Sequence, residues 1–180
     1  MIKLTGGDFA GRSIHGPPGE GVRPTTSRVR KALFDSLGDI QGLSVLDMFS
    51  GTGALGLESL SRGAARAVYV DQNAETIQLN ISKLGVSKSS RVLEMEAARA
   101  LDLLEKEGVF FDLILMDPPW GQGQALLPRA WGLLRPGGRL MLEFATRRPV
   151  PAPAQMPEGR LKTYGDTSLI IFQREGGSRS

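Results

Sequence analysis

An α/β fold with a mostly parallel sheet is predicted by three features of this 180-residue chain. Between residues 43 and 144, short apolar runs alternate with segments of helical period, in units of about 20–25 residues. A glycine-rich turn, Ser50-Gly-Thr-Gly53, links the first strand of that series to its helix. Near the end, Leu161–Tyr164 and Ser168–Gln173 are β-type runs joined by Gly165-Asp166-Thr167, a link short enough to require an antiparallel hairpin. Repeated β–α units imply right-handed crossovers and helices on both faces of the sheet. A parallel sheet closed by such a hairpin differs from the six-parallel-strand dinucleotide fold.

The elements follow in order. Ile2-Lys3-Leu4 and Phe9–Ile14 flank Gly6-Gly7-Asp8 as a strand-turn-strand signal, and residues 15–24 are rich in Gly and Pro and read as loop. Thr25, Thr26 or Ser27 can cap a first helix, in which Val29, Leu33, Phe34 and Leu37 share an apolar face. Arg28, Arg30 and Lys31 fall largely off that face, so the helix is expected to offer cations to solvent. Ser44–Met48 reads as a strand, 53–62 as a helix ended by Gly63, Ala67–Val70 as a strand stopping at Asp71, and Asn73 as the cap of a helix to Leu84. Arg91–Met95, Ala97–Lys106, Phe111–Met116, Ala125–Leu134 and Arg139–Phe144 continue the alternation, with Pro136-Gly137-Gly138 expected to stop the fourth helix. Residues 147–159 hold four prolines and no helical period. One domain is expected, with a basic extension over 1–40, a Rossmann-like core over 41–175 and a short tail over 176–180.

Composition narrows the chemistry. The chain has no cysteine, which removes disulfides, thiolate nucleophiles and cysteine-based zinc sites. Its one histidine, His15, lies in the Gly/Pro-rich stretch and reads as an exposed loop residue, so no metal site is expected. Any catalysis must use carboxylates, backbone groups, hydroxyls or a cofactor. No apolar run approaches a membrane span and the N-terminus lacks a secretory core, so a soluble cytoplasmic protein is the expectation; a monomer is expected separately. The net charge is +3, but residues 1–31 carry six basic against two acidic residues, a balance of +4, leaving the rest slightly acidic. A basic front module before a near-neutral domain suits a nucleic-acid partner, with Arg12, Arg23, Arg28, Arg30 and Lys31 as phosphate-contact candidates. A merely solvated arm is the competing reading.

Two stretches carry chemistry. Gly51, Gly53 and Gly56 satisfy G-x-G-x-x-G between a strand and a helix, and Asp71 ends the next strand about 20 residues on, where it can bind ribose hydroxyls. The pattern fits NAD, FAD or S-adenosylmethionine. Asp47, just before the loop, would repel a pyrophosphate and attract the ammonium of a methionine group, which favours the last. Glu96-Ala97 closes the third strand, where an adenine ring could rest; capping of the following helix and a solvated Glu96 are equal readings. The second stretch is Phe111–Trp120. Its apolar run must end by Asp117, because Pro118 and Pro119 cannot donate to a ladder. A carboxylate, free carbonyls and the ring of Trp120 are thereby left at a strand's C-terminal end, where ligands bind in open α/β sheets.

With these residues assembled, the chain resembles class I S-adenosylmethionine-dependent methyltransferases, and within them the RsmD family, which methylates a guanine N2 amine in 16S ribosomal RNA. The resemblance rests on Gly6-Gly7 followed by Gly11-Arg12, Arg23-Pro-Thr-Thr-Ser-Arg-Val-Arg-Lys-Ala-Leu-Phe34, Leu46-Asp-Met-Phe-Ser-Gly-Thr-Gly-Ala-Leu-Gly-Leu-Glu58, Asp117-Pro-Pro-Trp120 and Tyr164-Gly-Asp-Thr167. Trp120 stands where phenylalanine or tyrosine is more usual, Asp71 where glutamate is common and Glu96 where aspartate or asparagine is more usual. The likeness implies that Asp47, Gly51, Gly53 and Asp71 line the cofactor site. It also implies that Asp117–Trp120 hold the target base and that the N-terminal segment helps bind 16S ribosomal RNA or a small-subunit assembly particle. An adenine-N6 methyltransferase and a nicotinamide-dependent oxidoreductase are the alternative activities. Glu58 has no role that the sequence reveals.

Overall fold

A computed structural model describes residues 1–19, 25–119 and 121–177. The chain opens with an antiparallel ribbon, β1 (Ile2–Lys3) and β2 (Ser13–Ile14), and helix α1 (Ser27–Leu37). The alternating series follows: β3 (Ser44–Met48), α2 (Ala54–Ser61), β4 (Arg66–Asp71), α3 (Glu75–Leu84), β5 (Ser90–Glu94), α4 (Ala97–Glu107) and β6 (Phe111–Met116). It ends with α5 (Leu127–Gly132), β7 (Leu134–Ala145), β8 (Arg160–Tyr164) and β9 (Thr167–Gln173). The last seven strands form one sheet in the order β5-β4-β3-β6-β7-β9-β8, in which β9 runs antiparallel to both its neighbours and the other pairings are parallel. The strand order reverses between β3 and β6, and ligands of open α/β sheets bind at such a switch point.

Strand period divides the core in two. Val45, Tyr69, Leu113, Leu115 and Met141 face one way and pack under the N-terminal ribbon, α1, α2 and α3. Leu46, Met48, Val68, Val70, Ile114, Met116 and Leu142 face the other and pack against α4 and α5. Helix α1 begins as its composition predicts: the Thr26 hydroxyl accepts the Val29 N–H at 3.3 Å, and Val29, Leu33, Phe34 and Leu37 are buried. Asn73 still organises the start of α3, but from one residue further out, its Oδ1 accepting the Glu75 N–H at 3.1 Å.

Three expectations change. The second N-terminal strand shrinks to two residues, because Ala10 and Arg12 donate three residues back to Gly7 and Phe9 in successive turns. The fourth crossover helix is shorter than predicted: a single 3₁₀ turn over Gln124–Leu126 leads into α5, and Pro128 in the first helical turn has no N–H to lose. Pro136-Gly137-Gly138 then lies inside β7. The register against β6 shifts between Phe111 and Leu113, and Gly137 adopts φ +80°, so the two glycines form a bulge within the strand.

The third correction concerns Arg30. Only 1% of Arg30 is exposed, and its Nε donates to Glu58 Oε2 at 3.0 Å, with Glu58 fully buried. Its Nη1 donates to the Thr25 carbonyl at 3.3 Å and its Nη2 to the Lys3 carbonyl. Glu58 also accepts the Thr5 N–H at 3.0 Å, the Thr5 hydroxyl at 2.6 Å and Arg62 Nε at 3.1 Å. Burial alone would raise the Glu58 carboxyl, but the Thr5 hydroxyl, the Thr5 N–H, Arg30 and Arg62 together hold it below its ordinary range. Arg30 is therefore a clamp between the N-terminal module and α2, not a phosphate contact. A second clamp is Asn80, whose Nδ2 donates to the carbonyls of His15 at 3.0 Å and Thr52 at 2.9 Å. The His15 side chain is exposed, as expected of a loop residue.

Candidate active site

Strand register assembles a row of acids at the C-terminal edge of the sheet. Asp47 pairs with Tyr69 on one side and Leu115 on the other, and Leu115 pairs with Met141. Residues two positions further along point to the same face. Asp71, Asp117 and Glu143 therefore stand on the face of Asp47, beneath the N-terminal module.

The glycine loop wraps the Asp47 end of this row. Asp47 is 1% exposed and its Oδ2 accepts the Gly56 N–H at 2.8 Å. Burial pushes its carboxyl up to about 8; the Gly56 N–H lowers it, while the charges of Asp117 and Asp71 raise it further. Gly51 has φ +53° with open space where a side chain would begin, and its N–H donates to Asp71 Oδ2 at 2.7 Å. Gly53 has φ +78°, and a Cβ there would lie 1.7 Å from Ile77 Cδ1. Between β3 and these glycines, Phe49 takes φ +60°, a left-handed conformation that non-glycine residues seldom adopt. The Ser50 hydroxyl is buried in the same loop without a hydrogen-bond partner. An open cradle, a buried acid and an orphaned hydroxyl fit an adenosyl amino acid with a cationic group.

At the other end of the row lies a cleft of about 1080 Å³, bounded by the start of α1, Asp117–Pro119, Glu143–Ala145 and the turn between β8 and β9. Thr25 bridges two acids there. Its hydroxyl donates to Glu143 Oε2 at 2.7 Å and lies 3.4 Å from Asp117 Oδ2. Burial pushes the Asp117 carboxyl up to about 6, against the Thr25 hydroxyl, which lowers it. Burial, then the charge of Asp117, pushes Glu143 up to about 8, again opposed by Thr25. Glu143 and the bridging role of Thr25 escape a reading of the sequence alone, because an acid in a strand acquires this meaning only from its neighbour across the ladder.

The residues expected at the site separate clearly. Asp47, Gly51, Gly53 and Asp71 come together around the glycine loop, and Asp117, Pro118 and Pro119 border the cleft. Glu96 is exposed just before α4, two residues past the end of β5, with Ala97 as the first helical residue; its side chain makes no capping bond. Arg28 is exposed and lines the cleft beside Arg147 and Arg148. Lys31 is exposed and pairs with Asp35 at 2.8 Å. Arg12 stacks over Phe9 and donates to the Lys83 carbonyl at 3.1 Å, in the last turn of α3. Since α3 runs back against its strands, Arg12 sits toward the opposite edge of the sheet from the cleft. Trp120 and Arg23 lie outside the described residues.

A Rossmann-like sheet with an antiparallel strand inserted near one edge, a glycine loop after its central strand and acids along its C-terminal edge has the architecture of class I methyltransferases. The chain belongs to the family described as conserved hypothetical protein 95, which matches residues 2–173, and it is thereby a member of the RsmD family. It is 33% identical over 188 residues to the ribosomal RNA small subunit methyltransferase D of Escherichia coli (strain K12), spanning 100% of this chain and 93% of that protein. A solved hypothetical protein of Thermus thermophilus superposes with a TM-score of 0.81 at 29% identity, covering 97% of this chain and 99% of that one. The fold extends to SMU.776, solved as a complex with SAH, with a TM-score of 0.67 at 14% identity over 82% of this chain and 48% of that one. No helix among the described residues is long and apolar enough to cross a membrane.

Proposed function

We propose that this chain transfers a methyl group from S-adenosylmethionine to the exocyclic N2 amine of a guanine in 16S ribosomal RNA. The observation that carries the reading is the row of acids, which joins the glycine loop at one end to an open cleft at the other. Asp47 would hold the ammonium of the donor, Gly51 and Gly53 would admit it to the backbone, and Asp71 would accept from its ribose hydroxyls. Glu96 and Ala97 are the candidates beside its adenine. When bound, S-adenosylmethionine supplies a methyl group on a positively charged sulfur.

The protein's remaining work is positioning. A guanine amine is a poor nucleophile because its lone pair is conjugated with the ring. The Asp117 carboxylate and the Pro118 carbonyl would accept its two N–H bonds, favouring a pyramidal nitrogen with a free lone pair. Asp117 would also stabilise the positive charge that develops on that nitrogen. The base must leave its stack to reach the cleft, and Trp120 is the proposed platform for it. Arg28, at the mouth, is the best placed of the proposed phosphate contacts, with Lys31 further along the same helix.

The test uses purified protein, labelled S-adenosylmethionine and small-subunit particles, with nucleoside mass spectrometry of the product. N2-methylguanosine is expected, and Asp117→Ala is expected to lower its formation at least ~100-fold while cofactor binding persists. Undiminished methylation by Asp117→Ala would overturn the assignment, and N6-methyladenosine as the product would move it to adenine.

A further inference from the structure

We infer that Glu143 is the residue that selects guanine, by accepting the N1–H of the base whose N2 amine lies at Asp117. This rests on the methyl-transfer reading above and names what that site recognises. In the β6–β7 register, Met116 stands opposite Leu142, so the next residues, Asp117 and Glu143, stand side by side on one face. Both border the cleft, and a single hydroxyl, Thr25 Oγ1, reaches both.

Two neighbouring carboxylates are a poor site for most bases and a good one for guanine. Its Watson–Crick edge offers adjacent donors, the N2 amine and the N1–H. Adenine and 2-aminopurine instead present a bare N1 lone pair, which an ionised Glu143 would repel and only the protonated acid could bond. Thr25 settles which part of Glu143 remains for the base. Its hydroxyl occupies Oε2, leaving Oε1 as the acceptor available to the cleft. Among the described residues Thr25 is the donor to Glu143, whose carboxyl is pushed up to about 8, first by burial and then by the charge of Asp117. An N1–H donated to it would favour the ionised form. A site built to hydrogen-bond a group rejects analogues that lack it far more strongly than an apolar pocket rejects a size change.

The experiment compares guanine with 2-aminopurine, which keeps the N2 amine but lacks the N1–H. Wild-type protein first identifies the methylated position in small-subunit particles. Particles are then assembled on 16S ribosomal RNA carrying either base at that position by splinted ligation, and methyl incorporation is followed for wild type, Glu143→Gln and Glu143→Ala. S-adenosylhomocysteine affinity, measured on each variant, checks that the fold is intact. In Glu143→Gln, the Thr25 hydroxyl still holds the side-chain oxygen, so the amide N–H₂ faces the base. It then opposes the guanine N1–H and matches the 2-aminopurine N1. Assayed at pH 9, where Glu143 is ionised with either base, wild type should prefer guanine by at least tenfold in kcat/KM, Glu143→Ala should lose most of that preference, and Glu143→Gln should cancel or invert it. An unchanged base preference in both variants would overturn the role of Glu143 while leaving methyl transfer standing. A wild-type protein that methylates no guanine in the particle would overturn the underlying reading, and this inference with it.

Discussion

Replacing Arg30 with methionine separates a buried clamp from a surface phosphate contact. The substitution keeps the apolar stem and removes a guanidinium that bonds Glu58 and the carbonyls of Thr25 and Lys3. Glu58 would remain buried, holding its bonds to Thr5 and Arg62. Removing one partner of a buried pair costs ~3–5 kcal/mol, because the other charge stays desolvated. Arg62 still neutralises Glu58, so the lower end applies, about 3 kcal/mol. For a domain of this size each kcal/mol shifts the melting temperature by ~2–4 °C, so Arg30→Met should melt roughly 6–12 °C below wild type in calorimetry at pH 7. Arg30→Met combined with Glu58→Leu should recover much of the loss, since neither charge is then stranded. The Glu58 carboxyl is held below its ordinary value of 4.5, so its contribution is present above that pH and is lost on acidification. The gap between Arg30→Met and wild type should therefore narrow as the pH falls. A melting temperature within roughly 2 °C of wild type, together with a shallower salt dependence of RNA binding, would refute the clamp.

Four further outcomes follow from the same geometry. Asp47 holds its proton up to about pH 8 when folded and releases it near 3.8 when unfolded. The free protein should therefore lose stability as the pH rises through that window, by up to ~1.4 kcal/mol per unit for one fully shifted group. Binding S-adenosylmethionine at pH 7 should release roughly 0.5–1 proton as a cation meets Asp47, seen as different calorimetric enthalpies in phosphate and Tris; equal enthalpies would separate Asp47 from the ammonium. Gly53→Ala forces a Cβ against Ile77 at φ +78° and should cost ~1–3 kcal/mol in urea unfolding, whereas a neutral result would mean that α3 moves freely away from the loop. Arg28→Gln should lower the slope of log affinity against log salt by about 1 for the small-subunit particle and leave S-adenosylhomocysteine binding unchanged; an unchanged slope would take Arg28 off the RNA path.

The elements legible in the sequence are those whose signal is local. Ser44–Met48 and Phe111–Met116 are found within their observed bounds, because a central parallel strand is apolar on both faces and is bounded by a glycine loop or by prolines. The glycine loop, Asp47 and Asp71 were legible because strand, turn, helix and acid occur at a fixed spacing. Pro136–Gly138 misled because the residues that stop a helix also build a β-bulge, and only the partner strand distinguishes the two. The inward turn of Arg30 is not legible in the sequence, because helical period follows apolar residues alone. On an 11-residue helix a cation can occupy the buried face when an acid 28 positions downstream meets it.

The sequence by itself determined the alternation of strands and helices, the glycine loop and the acid-proline-proline terminus of β6, each set by neighbours along the chain. Which charges face one another depended on strand register and on the packing of the N-terminal module over the sheet. Register brought Glu143 beside Asp117, and packing brought Thr25 onto both while turning Arg30 inward onto Glu58. The physical reason is that a carboxylate's role depends on what desolvates it and what donates to it. For Asp117, Glu143 and Glu58, the donors Thr25 and Arg30 stand 92, 118 and 28 positions away along the chain.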